Sequence, residues 1–215
     1  MFDFSKVGIQ PGSCRMIVDV GANEGQFLFP ALEYFRPPRS LSIEMLEDLA
    51  SRLREDPRLA TGGQHVVLCC AVGDRVETRT CLRSVFSPAS SLLPINPQAN
   101  EWYDMDLHQH PHGTVPVRTL DDICAEYQID SIDVLKIDVQ GYEEPVIRGA
   151  ERILRRTANL IIEVEFVPVY EGQALAGEVE SALRARGFRP KCYLSEYRAK
   201  TGELLHADAL FQPAS

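Results

Sequence analysis

Positive charge is scarce in this chain. Its 215 residues carry 22 Lys and Arg against 31 Asp and Glu, a formal net charge of −9. A phosphate backbone is bound through concentrated cations, so a nucleic-acid partner is disfavoured. Long apolar runs are missing too. No segment reaches the ~20 residues that a bilayer-crossing helix needs, and Met1-Phe2-Asp3-Phe4-Ser5-Lys6 does not read as a signal peptide. The six cysteines, Cys14, Cys69, Cys70, Cys81, Cys124 and Cys192, include no Cys-x-x-Cys pair. Adjacent Cys69 and Cys70 should face opposite sides of a strand. No metal site is therefore assigned to them, and reduced thiols in a cytoplasmic protein are expected. A complete Gly-x-Gly-x-x-Gly run is also absent, which argues against a dinucleotide pyrophosphate.

What is present is a strand, a glycine turn and a helix in immediate succession. Met16-Ile17-Val18 leads into Asp19-Val20-Gly21-Ala22-Asn23-Glu24-Gly25, and Phe27, Leu28, Ala31, Leu32 and Phe35 then recur three and four apart. This is the first half of a nucleotide-binding crossover. Glycine lets the backbone pass close to a ligand. The shortened glycine pattern suits an adenosine ligand without phosphate, with S-adenosylmethionine as the candidate.

Similar units follow along the chain. Strands are expected at Leu41 to Glu44, His65 to Val72, Thr78 to Leu82, Thr114 to Val117, Ile132 to Asp138 and Leu160 to Glu165. Helical faces lie between them, for example Leu46, Leu49, Ala50 and Leu53. The run from His65 to Val72 is apolar almost throughout, as in a strand covered on both faces. Phe188 to Leu194 and Leu204 to Phe211 read as an antiparallel edge hairpin. The alternation predicts one α/β domain over 1–215, an open, mostly parallel sheet with an antiparallel C-terminal strand and helices on both faces. Residues 1–14 read as a lead-in. Residues 84–113 carry four prolines, Trp102, Tyr103 and His108, His110 and His112 without periodicity, the profile of a lid or substrate loop.

In such a sheet, ligands bind beyond the carboxyl ends of the strands, where strand order reverses. The polar residues ending the strands are therefore the candidates: Asp19 to Gly25, Glu44, Gly73-Asp74, Asp138, and Glu163 with Glu165. Glu44 lies nineteen residues beyond Gly25, near the ~20 at which an acid takes ribose hydroxyls; it can equally cap the next helix. Asp74, after Ala71-Val72-Gly73, can accept from an adenine amino group or simply make a turn. Asp138 can hold the ligand, orient an acceptor or act as general base, or merely cap a helix. The alternating histidines 108, 110 and 112 offer a metal site or a proton acceptor, or a solvated loop. Glu163 and Glu165 share a strand face and can meet the acceptor, a divalent cation or rim arginines.

Val18 to Gly25, Ala71-Val72-Gly73-Asp74, Thr119-Leu120-Asp121-Asp122 and Leu135-Lys136-Ile137-Asp138-Val139-Gln140-Gly141-Tyr142-Glu143 occur in that order. Together they resemble the FkbM family of S-adenosylmethionine-dependent methyltransferases, over about residues 15–165 and more weakly to the end. The resemblance implies a Rossmann-like class I methyltransferase fold and methyl transfer to a hydroxyl of a sugar, polyketide, glycolipid or similar small metabolite. It places Gly21, Ala22, Asn23 and Gly25 at the methionyl part of the cofactor, with Asp19 on the same rim. Glu44 falls to the ribose, Ala71, Val72 and Asp74 lie near the adenine, and Asp138, with His110 as second candidate, activates or orients the hydroxyl. Magnesium is not assigned. The family pattern has Glu where this chain has Gln140, so that glutamate's role does not carry over. A non-catalytic cofactor-binding module, a nicotinamide-dependent oxidoreductase and, more weakly, an RNA methyltransferase stand as rival readings.

Overall fold

A computed structural model describes residues 2–60 and 62–214; Met1, Thr61 and Ser215 of the expected 1–215 domain lie outside the described residues. Seven strands form the main sheet: β1 (Met16–Val20), β2 (Arg39–Glu44), β3 (Gln64–Cys69), β7 (Ile132–Ile137), β8 (Thr157–Glu165), β9 (Phe188–Arg198) and β10 (Leu204–Pro213). Their spatial order is β3-β2-β1-β7-β8-β10-β9. The first five are parallel, and β10 runs antiparallel to both β8 and β9. Strand order reverses between β1 and β7, so the crevice for a ligand opens above their carboxyl ends. The doubly wound sheet with its antiparallel C-terminal strand is the fold expected.

Three strands stand apart. β4 (Ala71–Val72), β5 (Glu77–Ser84) and β6 (Gln109–Arg118) make a second small sheet in the order β4-β6-β5. The single strand expected from His65 to Val72 therefore breaks at Cys70 and changes sheets. β3 is an edge strand, and most of it is only half-buried. Its apolar run serves two cores: Val66 and Leu68 pack on the central cluster, and Val67 packs with Ala50 and Leu53 of α2 (Glu47–Glu55).

The remaining helices are α1 (Leu28–Phe35), α3 (Ala99–Tyr103), α4 (Leu120–Glu126), α5 (Glu143–Arg148), α6 (Glu151–Leu154) and α7 (Ala176–Ala185). Period-2 alternation divides the strands between two cores. Val18, Val20, Leu135 and Ile162 face α4 to α7, whereas Ile17, Val134, Ile161 and Leu210 face α1. The lead-in is part of this second core. Phe4 and Val7 are buried against Phe27, Ala31 and Phe35, because an aromatic, apolar segment has no other way to leave water. Residues 84–113 are likewise ordered into a short 3-10 turn at Ser87–Ala89, the helix α3 and the start of β6.

Candidate active site

The turn after β1 is held by its neighbours on both sides. Gly21 and Ala22 donate their N–H groups to Ile43 O at 2.9 and 3.0 Å, and Asp138 N–H donates to Val20 O at 2.9 Å. Gly21 sits at φ +88°, and a Cβ there would lie 1.7 Å from the Asp138 carbonyl oxygen, so only glycine lets the strand ends converge. Asn23 follows at φ +45°, a conformation asparagine tolerates. Its N–H donates to Glu44 Oε2 at 2.8 Å, while Leu46 N–H donates to Glu44 Oε1 at 2.8 Å. Glu44 thus ties the turn after β1 to the residue that precedes α2, and of a carboxylate's about four acceptor positions some stay available. Burial pushes its carboxyl up, against the backbone hydrogen bonds.

These residues line one end of a cavity of about 460 Å³ at the carboxyl ends of β1, β2 and β7. Asp19, Gly21, Ala22, Asn23 and Glu44 meet there with Ala71 and Val72 of β4. Asp19 is the anomaly. It is 1% exposed, and neither carboxylate oxygen has a hydrogen-bond partner. Burial pushes its pKa up to about 7, against the attraction of Lys136. An unsatisfied carboxylate of this kind is costly, and a cationic or N–H-bearing ligand would relieve it.

The other end of the cavity is built from β7, β8 and β10. Lys136, fully buried, pairs with Asp138 Oδ2 at 3.2 Å and with Asp208, which also accepts from Ser195. Burial would lift the Asp138 carboxyl, but Lys136 and the Gln140 amide outweigh it and hold the group below its ordinary value. Asp138 is therefore an ionised acceptor, suited to orienting a hydroxyl and weak as a base. Gln140, at φ +55°, is a hub. Its amide donates to Asp138 Oδ1 at 2.8 Å and Glu163 Oε2 at 2.6 Å, and its Oε1 accepts from the Tyr170 hydroxyl at 2.7 Å. An amide can serve donor and acceptor together, which an ionised glutamate in its place could not.

Glu165 accepts from the Tyr103 hydroxyl at 3.2 Å, and that hydroxyl lies 2.7 Å from His206 Nδ1. Tyr103 and Tyr197 both stack on the imidazole, with interplanar angles of 17° and 8°. Burial pushes the Glu165 carboxyl up to about 9 and that of Glu163 well up, and it lowers His206. Among the described residues no arginine pairs with Glu163 or Glu165, so the rim-arginine reading is not what forms; Glu163 meets His206, 3.8 Å away.

Four sequence candidates lie elsewhere. Gly25 does not line the cavity; at φ +84° it turns the chain, and a Cβ would collide with the Phe29 ring at 2.2 Å. Asp74 lies outside the cavity lining and pairs with Arg148, Oδ2 to the guanidinium at 3.1 Å. The turn at Gly73 points it at α5 instead of at the crevice. His110 and His112 are exposed on β6, ring centroids 6.1 Å apart, and neither lines the cavity. They lie on the second sheet, which carries them away from Asp138. Accordingly, Asp74→Asn should leave cofactor affinity within about twofold and stability within about 1 kcal/mol, as for an exposed ion pair. His110→Ala should leave turnover unchanged; a tenfold loss in either assay would return the residue to the site.

Residues 84–113 do reach the cavity, through Phe86, Ser87, Leu92, Tyr103, Met105 and Leu107. Sequence reading does not reach Lys136 and His206, which line the cavity, or Asp208, which pairs with Lys136. The signal was there: His206 and Asp208 alternate with alanines and leucines along the last strand, the period of a half-buried face.

Against this geometry, the family model for the methyltransferase FkbM domain matches residues 19–190. The chain belongs to the FkbM methyltransferase family. It is 31% identical to the 31-O-demethyl-FK506 methyltransferase FkbM of Streptomyces tacrolimicus, over 85% of this chain and 75% of that one. Over 60 residues it is 42% identical to the 2-O-methyltransferase NoeI of Sinorhizobium fredii, covering 28% of this chain but only 25% of that protein. The crystal structure of an FkbM methyltransferase from Methylobacillus flagellatus superposes with a TM-score of 0.55 at 15% identity, over 93% of this chain and 43% of the larger one. The FkbM-family chain therefore spans less than half of that solved protein, and the likeness there is one of fold.

Proposed function

We propose that this FkbM-family protein is an S-adenosylmethionine-dependent O-methyltransferase acting on a hydroxyl of a small metabolite of the sugar, polyketide or glycolipid type. The observation that carries the reading is the unpartnered Asp19 carboxylate, buried beside the Gly21 turn and Glu44 at one end of a cavity whose other end holds Asp138. The donor set fits the cofactor. Asp19 meets a cationic amino acid part, the backbone of Gly21 to Asn23 allows its close approach, and the open lone pairs of Glu44 take ribose hydroxyls. Ala71 and Val72 wall the purine. When bound, S-adenosylmethionine supplies a methyl group activated on sulfonium sulfur.

The chain's own contribution is to hold the acceptor hydroxyl in line, which is worth about 7–11 kcal/mol when the geometry is near attack. Asp138, fixed by Lys136 and Gln140, accepts a hydrogen bond from that hydroxyl and sets its direction. Residues 84–113 close over the acceptor end and exclude water. The acidic balance supports a small-molecule acceptor over a nucleic acid. No helix among the described residues is long and apolar enough to cross a membrane, and the free thiols of all six cysteines fit a cytoplasmic setting.

Calorimetric titration tests the reading. S-adenosylmethionine and its demethylated product should bind in the micromolar range, NAD and NADH should not, and Glu44→Ala should weaken cofactor binding at least tenfold. Silence from the first two with folded protein would overturn the proposal. Binding without turnover on any hydroxylated acceptor would favour a non-catalytic module.

A further inference from the structure

The acceptor end of the cavity contains a second arrangement that methyl transfer alone does not use. Strands β8 and β10 pair so that His206 stands opposite Glu165 and Asp208 opposite Glu163. Paired strand positions share a face, so these four side chains, with Lys136, project to one side. Glu163 and Glu165 are 7% and 4% exposed. One ligand atom from each of Glu163, Glu165 and His206 falls within 4.8 Å of the other two, and Glu163 Oε1 lies 3.8 Å from His206 Nε2.

We propose that Glu163, Glu165 and His206 form a site for one divalent first-row cation, of the manganese or zinc class. Atoms ligated at about 2.0–2.2 Å from a common ion lie some 3–4 Å apart, so small side-chain adjustments close the set. Each ligand residue is also steadied from behind. Gln140 holds Glu163 Oε2, and Tyr103 holds Glu165 Oε2 and His206 Nδ1. This leaves His206 Nε2 and one oxygen of each carboxylate for an ion, and such support from behind is what metal ligands commonly have.

Charge gives the independent reason. Asp19, Asp138, Glu163, Glu165 and Asp208 bring five carboxyls to this face, against the single ammonium of Lys136, which is already taken by Asp138 and Asp208. Asp19 shares the face through its register with Lys136 and is buried, with neither carboxylate oxygen hydrogen-bonded. Among the described residues no lysine or arginine pairs with Glu163 or Glu165. Carboxyls gathered in such excess call for a cation that the described residues do not supply. A mixed imidazole–carboxylate set suits manganese or zinc, whereas magnesium prefers to keep its waters. The ion's remaining positions face the cavity and would take oxygens of the acceptor, such as a vicinal diol. That last role rests on the methyltransferase reading; the site itself does not.

Titrating Mn²⁺ into metal-stripped, cofactor-free protein, followed by electron paramagnetic resonance and calorimetry, tests the site without any turnover. One ion should bind per chain with a micromolar dissociation constant, and pulsed spectra should show nitrogen coupling from one imidazole. Glu163→Gln and His206→Gln should weaken binding at least tenfold, and His206→Gln should erase the nitrogen coupling. The exposed Glu47→Gln should change nothing. Should a variant misfold by circular dichroism, the nitrogen coupling of the wild-type protein still decides. No manganese or zinc binding below millimolar concentration, or binding without nitrogen coupling, overturns the proposal. Cofactor titration in metal-free buffer is scored separately, so failure of the metal site and failure of the methyltransferase reading give different results.

Discussion

Gly21→Ala is expected to lower the melting temperature by about 10 °C and to abolish cofactor binding. The added Cβ would sit 1.7 Å from the Asp138 carbonyl oxygen and 2.8 Å from its carbon. Neither atom belongs to a flexible side chain. Relief requires the β1 turn and the end of β7 to move apart, although the Asp138 N–H to Val20 O bond at 2.9 Å ties them together. The backbone angle adds its own penalty, since φ +88° costs a non-glycine residue about 1–2 kcal/mol. Overpacking adds about 1–3 kcal/mol. The sum, about 4 kcal/mol, corresponds to about 10 °C for a chain of this size. Gly177→Ala, where a Cβ meets nothing within 4 Å, is the control and should be neutral or slightly stabilising. Thermal melts of the two variants check this; a Gly21→Ala protein that melts near wild type would mean that the turn is looser than described.

Asp19→Asn should act in the opposite direction, increasingly so as pH rises from about 4 to about 7. Burial raises the Asp19 pKa from 3.8 to about 7 in the folded chain. The folded state therefore binds the proton more tightly than the unfolded one, and stability falls as pH rises between those two values. Below about pH 4 the carboxyl is neutral in both states and nothing is lost. Above about pH 7 the full penalty applies, about three pKa units or about 4 kcal/mol. Asparagine carries no charge and avoids it. The variant should thus melt about 10 °C higher than wild type at about pH 8–9, match it near pH 4, and bind S-adenosylmethionine far more weakly. A gain in stability joined to a loss of binding marks a residue kept for its ligand. Equal melting curves at every pH would mean that the carboxylate already has a partner in solution.

Much of the candidate site was legible before the fold was known. The turn from Asp19 to Asn23, Glu44 and Asp138 stand out because each ends a strand, Ala71 and Val72 through the family resemblance, and the structure brings all of them to one cavity. Gly25 and Asp74 answer to the same strand-end rule and His110 to its place in the loop, yet all three lie outside it. A glycine at a turn and an aspartate after a glycine look the same in sequence whether the turn faces a crevice or an arginine such as Arg148. His110 fell in a segment without periodicity, so nothing local said that β6 would join β4 and β5 in a separate sheet.

The strand–turn–helix order, the parallel doubly wound class and the polar rim at the strand ends follow from the sequence itself, because they rest on local periodicity, on glycine's access to positive φ and on polar residues at strand ends. The acceptor end was decided by tertiary structure. Alternation along β8 and β10 says which residues share a face, but not which strand lies beside which. Only the long-range antiparallel pairing sets His206 against Glu165 and Asp208 against Glu163, and only the packing of β7 beside β8 brings Lys136 among them. Charge balance in that cluster is a property of neighbours in space, and spacing along a chain does not encode it.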